Sequence, residues 1–238
     1  MRVGLAIGGV VMVGIGVAIA TGVLAESNKD AEHTVQERVR HVELATDAGD
    51  VDITVADVEE TTIRQHFEYR WSDPEGDFFS MRDGTLRLES CGFSCSIDYE
   101  VIVPVGTSIG GGGDSGDLTF SGVGSVDVHA DSGNVTVDDV AGPVSVVVDS
   151  GNVSGNGLGG TVQAEVKSGN VTLELTEARD VSASAASGNI EVTVPRGPYR
   201  VEGSTDSGDR EIGIATDPSA ELVLDVVTNS GNVTIENA

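Results

Sequence analysis

With 39 Asp and Glu against 13 Lys and Arg in 238 residues, the chain carries a net charge of -26. That excludes binding of nucleic acid, or of an anionic membrane, through charge. Aromatic residues at 4% and 32 glycines suit a thin β-solenoid rather than a thick globular core. The acidity itself has three readings: a salt-rich habitat, a surface selected for solubility, or binding of divalent cations.

Residues 1–25 read as an N-terminal transmembrane anchor or signal segment. The run from Val3 to Leu24 holds no charged residue. As a helix it would be about 33 Å long, enough to cross a bilayer. Arg2 precedes it, and Glu26 and Asp30 follow with Lys29 between them. The positive-inside rule then keeps the N-terminus cytoplasmic and places the remainder outside, with the lipid bilayer as the first partner. The alternative is secretion after cleavage near Ala25, because Val23-Leu24-Ala25 has the form of a signal-peptidase site. No Cys lies near Ala25, so a lipoprotein anchor is not expected.

Residues 26–38 are polar and read as a linker. Residues 39–104 read as an N-terminal β region with an aromatic hairpin cap. Phe67, Tyr69, Trp71, Phe78, Phe79, Phe93 and Tyr99 all fall here. Ile63, Phe67, Tyr69 and Trp71 are expected on one strand face, with Arg64, His66, Glu68 and Arg70 on the other. A solenoid end needs a cover for its open edge, which gives the cap its role. A carbohydrate-binding platform is the other reading of the aromatics. Cys91 and Cys95, the only cysteines, are spaced C-x3-C at a turn between strands. In an exported chain such a pair reads as a disulfide.

Gly110-Gly111-Gly112-Gly113 then leads into a repeat region, 105–238. Its unit is a Ser-Gly-Asn corner, as in Asp131-Ser132-Gly133-Asn134, followed by alternating β-branched residues. Gly116, Asn134, Asn152, Asn170, Asn189, Gly208 and Asn232 mark the turns. The corner glycines at 116, 133, 151, 169, 188, 208 and 231 are 17, 18, 18, 19, 20 and 23 apart. A near-constant period of this size is the signature of stacked coils. Each coil supplies two main strands, in parallel register with the next. The predicted fold is therefore all-β, a parallel β-solenoid preceded by the membrane helix. The Asn after each Gly should stack in a column, amide on amide.

Two kinds of chemistry could be carried on such a frame. Asp114, Asp131 and Asp149 recur one coil apart and are weak calcium candidates, since stacked carboxylates repel unless solvated or bridged by a cation. Lys167 and Ala186 interrupt that column, and the calcium β-roll repeat is missing. A β-helix enzyme acting on acidic polysaccharides would need clustered cations and an acid/base pair. Lys167, Arg179, Arg196, Arg200 and Arg210 are scattered over different coils. No catalytic residue and no cofactor is expected.

The recurrent Ser-Gly-Asn/Asp-Val-x-Val unit, the Cys91 loop, the segment Ser96-Ile97-Asp98-Tyr99-Glu100-Val101-x-Val103-Pro104 and the N-terminal apolar run together resemble the DUF4097 family over roughly residues 38–237. These are bacterial β-strand-repeat proteins labelled as adhesins, and some are tied to envelope-stress systems. The resemblance implies a solenoid displayed on the cell envelope, without catalytic residues, whose partner is an envelope protein or a glycan.

Overall fold

The computed structural model describes residues 27–238. The expected membrane segment Val3–Leu24 and the cleavage position at Ala25 lie outside the described residues. Among the described residues there is no helix, and the strands form two sheets of 11.

The chain opens with β1 (Ser27–Val35), β2 (His41–Thr46), β3 (Val51–Ala56) and β4 (Thr61–Tyr69). It continues through β5 (Phe79–Arg82), β6 (Thr85–Glu89) and β7 (Cys95–Pro104). Five regular pairs follow: β8 (Ser108–Ser115) with β9 (Leu118–Ser121), β10 (Ser125–Ser132) with β11 (Val135–Asp138), and β12 (Val144–Ser150) with β13 (Val153–Leu158). The fourth and fifth are β14 (Val162–Ser168) with β15 (Val171–Leu175) and β16 (Val181–Ser187) with β17 (Ile190–Val194). Short β18 (Arg200–Glu202), β19 (Thr205–Ser207) and β20 (Arg210–Ile212) precede β21 (Val223–Ser230) and β22 (Val233–Asn237).

The first strand of each pair joins one sheet and the second joins the other, so a pair is one layer of the stack. Neighbouring layers are parallel and in register, with Val144 opposite Val162 and Ser150 opposite Ser168. Alternation does the rest. In the layer of β12 and β13, Val144, Val146, Val148, Val153 and Leu158 point inward and are buried. β-Branched side chains fit this pleated interior well. A single layer buries a handful of such groups at about 1.5–3 kcal/mol each. Ordering its backbone costs on the order of 1–2 kcal/mol per residue. Stability therefore depends on stacking, which closes both backbone ladders and merges the interiors. One apolar core runs from Val39 to Ile235. It passes through position 104 without interruption, so the change of composition there is not a structural boundary.

The order of layers departs from the order of the chain at both ends. The layer of β2 and β3 lies between that of β6 and β7 and that of β8 and β9. The layer of β21 and β22 lies between that of β16 and β17 and that of β19 and β20. The corner-glycine gaps widen to 20 and 23 in this part of the chain. They reflect a chain that skips a position, builds the outer layer, then returns to fill the gap.

Three other expectations are corrected. Residues 26–38 are not a linker, because β1 pairs antiparallel with β4 along its whole length, from Ser27 opposite Tyr69 to Val35 opposite Thr61. The aromatic face does not run through to Trp71. The inward set on β4 is Thr61, Ile63, Gln65 and Phe67, while Tyr69 is half-buried and Trp71 is exposed. The strand ends at Tyr69, and Trp71 has φ +79°, which breaks the period-two alternation. The four glycines at 110–113 do not precede the repeats but form the body of β8. A Cβ on Gly111 would fall 2.2 Å from Leu44 O, and one on Gly112 2.4 Å from His129 O.

Candidate functional site

The corner column is the most regular feature. The corner Asn or Asp, which follows a glycine everywhere except at Asp98 (preceded by Ile97), offers side-chain Oδ1 to the backbone N–H of its counterpart in the next layer. Asp98 accepts from Asp50 at 2.9 Å, Asp50 from Asp117 at 2.8 Å, and Asp117 from Asn134 at 2.8 Å. Asn134 accepts from Asn152 at 3.1 Å, Asn152 from Asn170 at 2.9 Å, and Asn170 from Asn189 at 2.9 Å. Asn189 accepts from Asn232 at 2.8 Å, and Asn232 from Asp209 at 2.8 Å. The ladder runs from the layer of β6 and β7 to that of β19 and β20 and follows the stack, not the chain. Neighbouring backbone groups are used elsewhere: Gly151 N donates to Ser168 O and Val153 N to Asn170 O. The Asn N–H between them finds its acceptor in a side chain, which is why the corner needs Asn or Asp.

The glycine is required twice over. Gly151 has φ +149°, and a Cβ there would lie 1.9 Å from Gly133 O. Gly116, Gly133, Gly169, Gly188, Gly208 and Gly231 show the same approach to the glycine carbonyl of the layer below, at 1.8–2.1 Å.

The calcium candidates lie just before these corners. Asp149 is paired with the Lys167 ammonium at 2.6 Å. That contact raises the Lys167 pKa, through the hydrogen bond first and the charge second. Asp131 is bonded to His129 Nε2 at 2.9 Å. Among the described residues no group of three His, Cys, Asp or Glu is gathered closely enough to hold a metal ion.

The N-terminal end is chemically the most varied part. On its outer face, Arg64 lies 3.0 Å from Glu32 and 3.7 Å from Glu100, and His66 Nδ1 lies 2.6 Å from Asp30. The hydrogen bond to Asp30 raises the His66 pKa, opposed by partial burial. These residues, with Asp98, line a shallow groove of about 710 Å³. On the inner face, Tyr99 Oη lies 2.7 Å from both Phe78 O and Glu89 O, so one proton serves two carbonyls. Burial pushes the Tyr99 hydroxyl up to about 12. Gln65, buried beside it, donates from Nε2 to Asp77 O at 2.6 Å. Gln65 is marked only weakly in the sequence, as a polar residue in phase with Ile63 and Phe67.

At the rim of the same end, the Sγ atoms of Cys91 and Cys95 are bonded, with Cα atoms 5.7 Å apart. The loop they close carries Phe93, which is fully exposed at 104%, and Trp71 on the adjacent turn is 92% exposed. Arg70 N donates to Ser94 O at 3.0 Å and joins the two turns. Trp71 (φ +79°) and Ser94 (φ +70°) are both left-handed, a conformation that bulky side chains seldom adopt. The cap is thus a layer of aromatic and polar packing within and a pair of bare aromatic rings at its edge.

The residues of this fold match one family model, Toastrack DUF4097, over residues 27–236. The chain is a member of that family. No curated protein matches the sequence. Several solved structures resemble it, two of them as follows. A "putative cell adhesion protein" from Clostridium sporogenes is 12% identical, covers 88% of this chain and 100% of its own, and has a TM-score of 0.44. A "putative adhesin" from Bacteroides fragilis is 15% identical, covers 88% of this chain and 97% of its own, and has a TM-score of 0.42.

Proposed function

We propose that this protein is a non-catalytic interaction module of the cell envelope, a β-solenoid held to the membrane by residues 3–24 with its strands outside. The observation that carries the reading is the meeting of two features at one end of the stack. The uncharged run ends at Leu24, and Ser27 is already paired in a sheet. Little chain separates the apolar segment from the rigid body, which suits a domain held close to a surface. The outward side chains of the layers support the interaction role. Most are Ser, Thr, Asp, Glu and Asn in repeated rows, a broad polar surface suited to contact with a protein or a glycan. Several of the basic groups are held in exposed ion pairs, such as Arg64 with Glu32 and Arg179 with Glu177, and the acidic groups outnumber the basic ones three to one. That arrangement suits a solvated surface better than an acid/base centre. The family membership agrees with an adhesin-like or envelope-stress-related role.

Protease shaving of intact cells that make the protein tests the topology. The repeats should be cut from whole cells while the N-terminal segment stays in the membrane fraction. Protection of the repeats would overturn the reading, and full release into the medium would replace anchoring with secretion after cleavage near Ala25.

A further inference from the structure

We infer that Trp71 and Phe93 form a membrane-contacting lip, two rings that enter the headgroup layer beside the point where the chain leaves the bilayer. The inference rests on the anchored topology proposed above and adds a second contact with the lipid.

The argument starts from the register of three strands. Ser27 at the start of β1 is opposite Tyr69 at the end of β4, and Tyr69 is opposite Cys95 at the start of β7. Trp71 lies two residues past Tyr69, and Phe93 two residues before Cys95. All three strands therefore present this end together. Adjacent strands are about 4.8 Å apart, so Ser27 and Cys95 are separated by roughly 10 Å. Leu24 is three residues before Ser27, a reach of at most about 11 Å. Wherever Leu24 meets the membrane surface, the two rings are held within a short distance of it.

Their local structure agrees with a built contact. The rings are 92% and 104% exposed in a chain where Phe67, Phe120, Tyr99 and Tyr199 are buried. The Cys91–Cys95 bond holds one turn, and the Arg70–Ser94 backbone hydrogen bond ties the other to it. A strained non-glycine backbone at an exposed aromatic residue needs a compensating gain elsewhere. Trp is the side chain most suited to the membrane–water interface. Glu68 and Arg70 line a hollow with Trp71 and Phe93, and Lys29 is paired with Asp73 two residues past Trp71, so the charge is mixed and the contact is made by apolar area. Zwitterionic lipid is the matching surface.

Trp71 is the only tryptophan of the chain, so its fluorescence reports this site alone. The test uses the full chain reconstituted into phosphatidylcholine vesicles, with and without bromine-labelled acyl chains. We expect a blue-shifted emission, quenching by the brominated lipid and protection from acrylamide, with the lipid quenching weakened in Phe93→Ser. If the chain floats with the vesicles but Trp71 stays open to acrylamide and blind to bromine, the lip is wrong and the anchor stands. If the chain does not float, the anchor itself is wrong. Emission that responds to added cell-wall glycan fragments and not to bromine would make the pair a sugar platform and overturn the proposal. Should Phe93→Ser disturb the fold, the wild-type quenching alone still decides.

Discussion

The side-chain oxygen of Asn232 accepts the backbone N–H of Asp209 at 2.8 Å, although Asp209 comes 23 residues earlier in the chain. On its other side, Asn232 donates its own N–H to Asn189. The corner ladder is therefore a property of layer position. Its middle members are Asn134, Asn152, Asn170, Asn189 and Asn232, while Asp98, Asp50 and Asp117 stand at one end and Asp209 at the other.

Replacing the middle amides by acids tests why the interior of the ladder is neutral. Asn134 Nδ2 donates to Asp117 Oδ1 at 3.1 Å, so Asn134→Asp removes that bond and sets two carboxylates face to face. The expected loss is about 1 kcal/mol at low ionic strength, shrinking as salt screens the pair. Urea unfolding at low and high sodium chloride checks it. Asn152→Asp, whose ladder neighbours are both Asn, should lose less.

Two left-handed glycines, one in the Cys91–Cys95 loop and one at a corner, offer a graded comparison. Gly92 has φ +86°, and a Cβ on it would touch nothing within 4 Å. Gly92→Ala should cost roughly 1–2 kcal/mol from backbone conformation alone. Gly151→Ala adds the 1.9 Å clash with Gly133 O, and stacked backbones cannot yield without opening the ladder. It should lose more than about 4 kcal/mol or fail to fold. Thermal melts of the two variants separate conformational preference from close approach.

Tyr99 gives an alkaline limit. Its folded pKa is raised above the unfolded value of 10 to about 12, because burial disfavours the phenolate. The stability it contributes is fully present below pH 10 and is lost as pH climbs toward 12. Tyr99→Phe should remove that part of the pH dependence. It should also cost about 1–3 kcal/mol at neutral pH, since Phe78 O and Glu89 O lose their shared donor. Denaturant midpoints between pH 8 and 12 measure both effects.

His66 works at the other end of the scale. Its hydrogen bond to Asp30 raises the folded pKa above 6.5. Its contribution is present below pH 6.5 and disappears as pH rises through the folded value. The pair is substantially exposed, so the stability effect should be small. NMR titration is the direct measurement, and Asp30→Asn should bring the His66 midpoint down.

The repeat was legible because turn chemistry and alternation coincide. Glycine marks the close approach, Asn marks the N–H without a backbone acceptor, and Val135, Val153 and Val171 mark the return to strand. The exchange of layer order was not legible, since Asn189 and Asn232 carry the same corner signal whichever layer lies between them. β1 was missed because only His33 is buried on it, and the strand Ser27–Val35 reads as a polar stretch. Its strand state comes from pairing with β4, a partner about 35 residues away that local pattern does not announce. The aromatic rim was half read. The composition of 60–104 pointed to a cap, but Trp71 was counted with the buried face because period-two counting does not anticipate a left-handed residue just past a strand end.

The return of β21 and β22 into the stack changes what shortening the protein would do. Deleting residues 222–238 would not trim a plank from the far side. It would pull out an inner one and leave β19 and β20 facing an empty slot, without the partners that hold them. A truncation series from that side should therefore collapse at its first step, whereas a simple serial stack would shorten rung by rung.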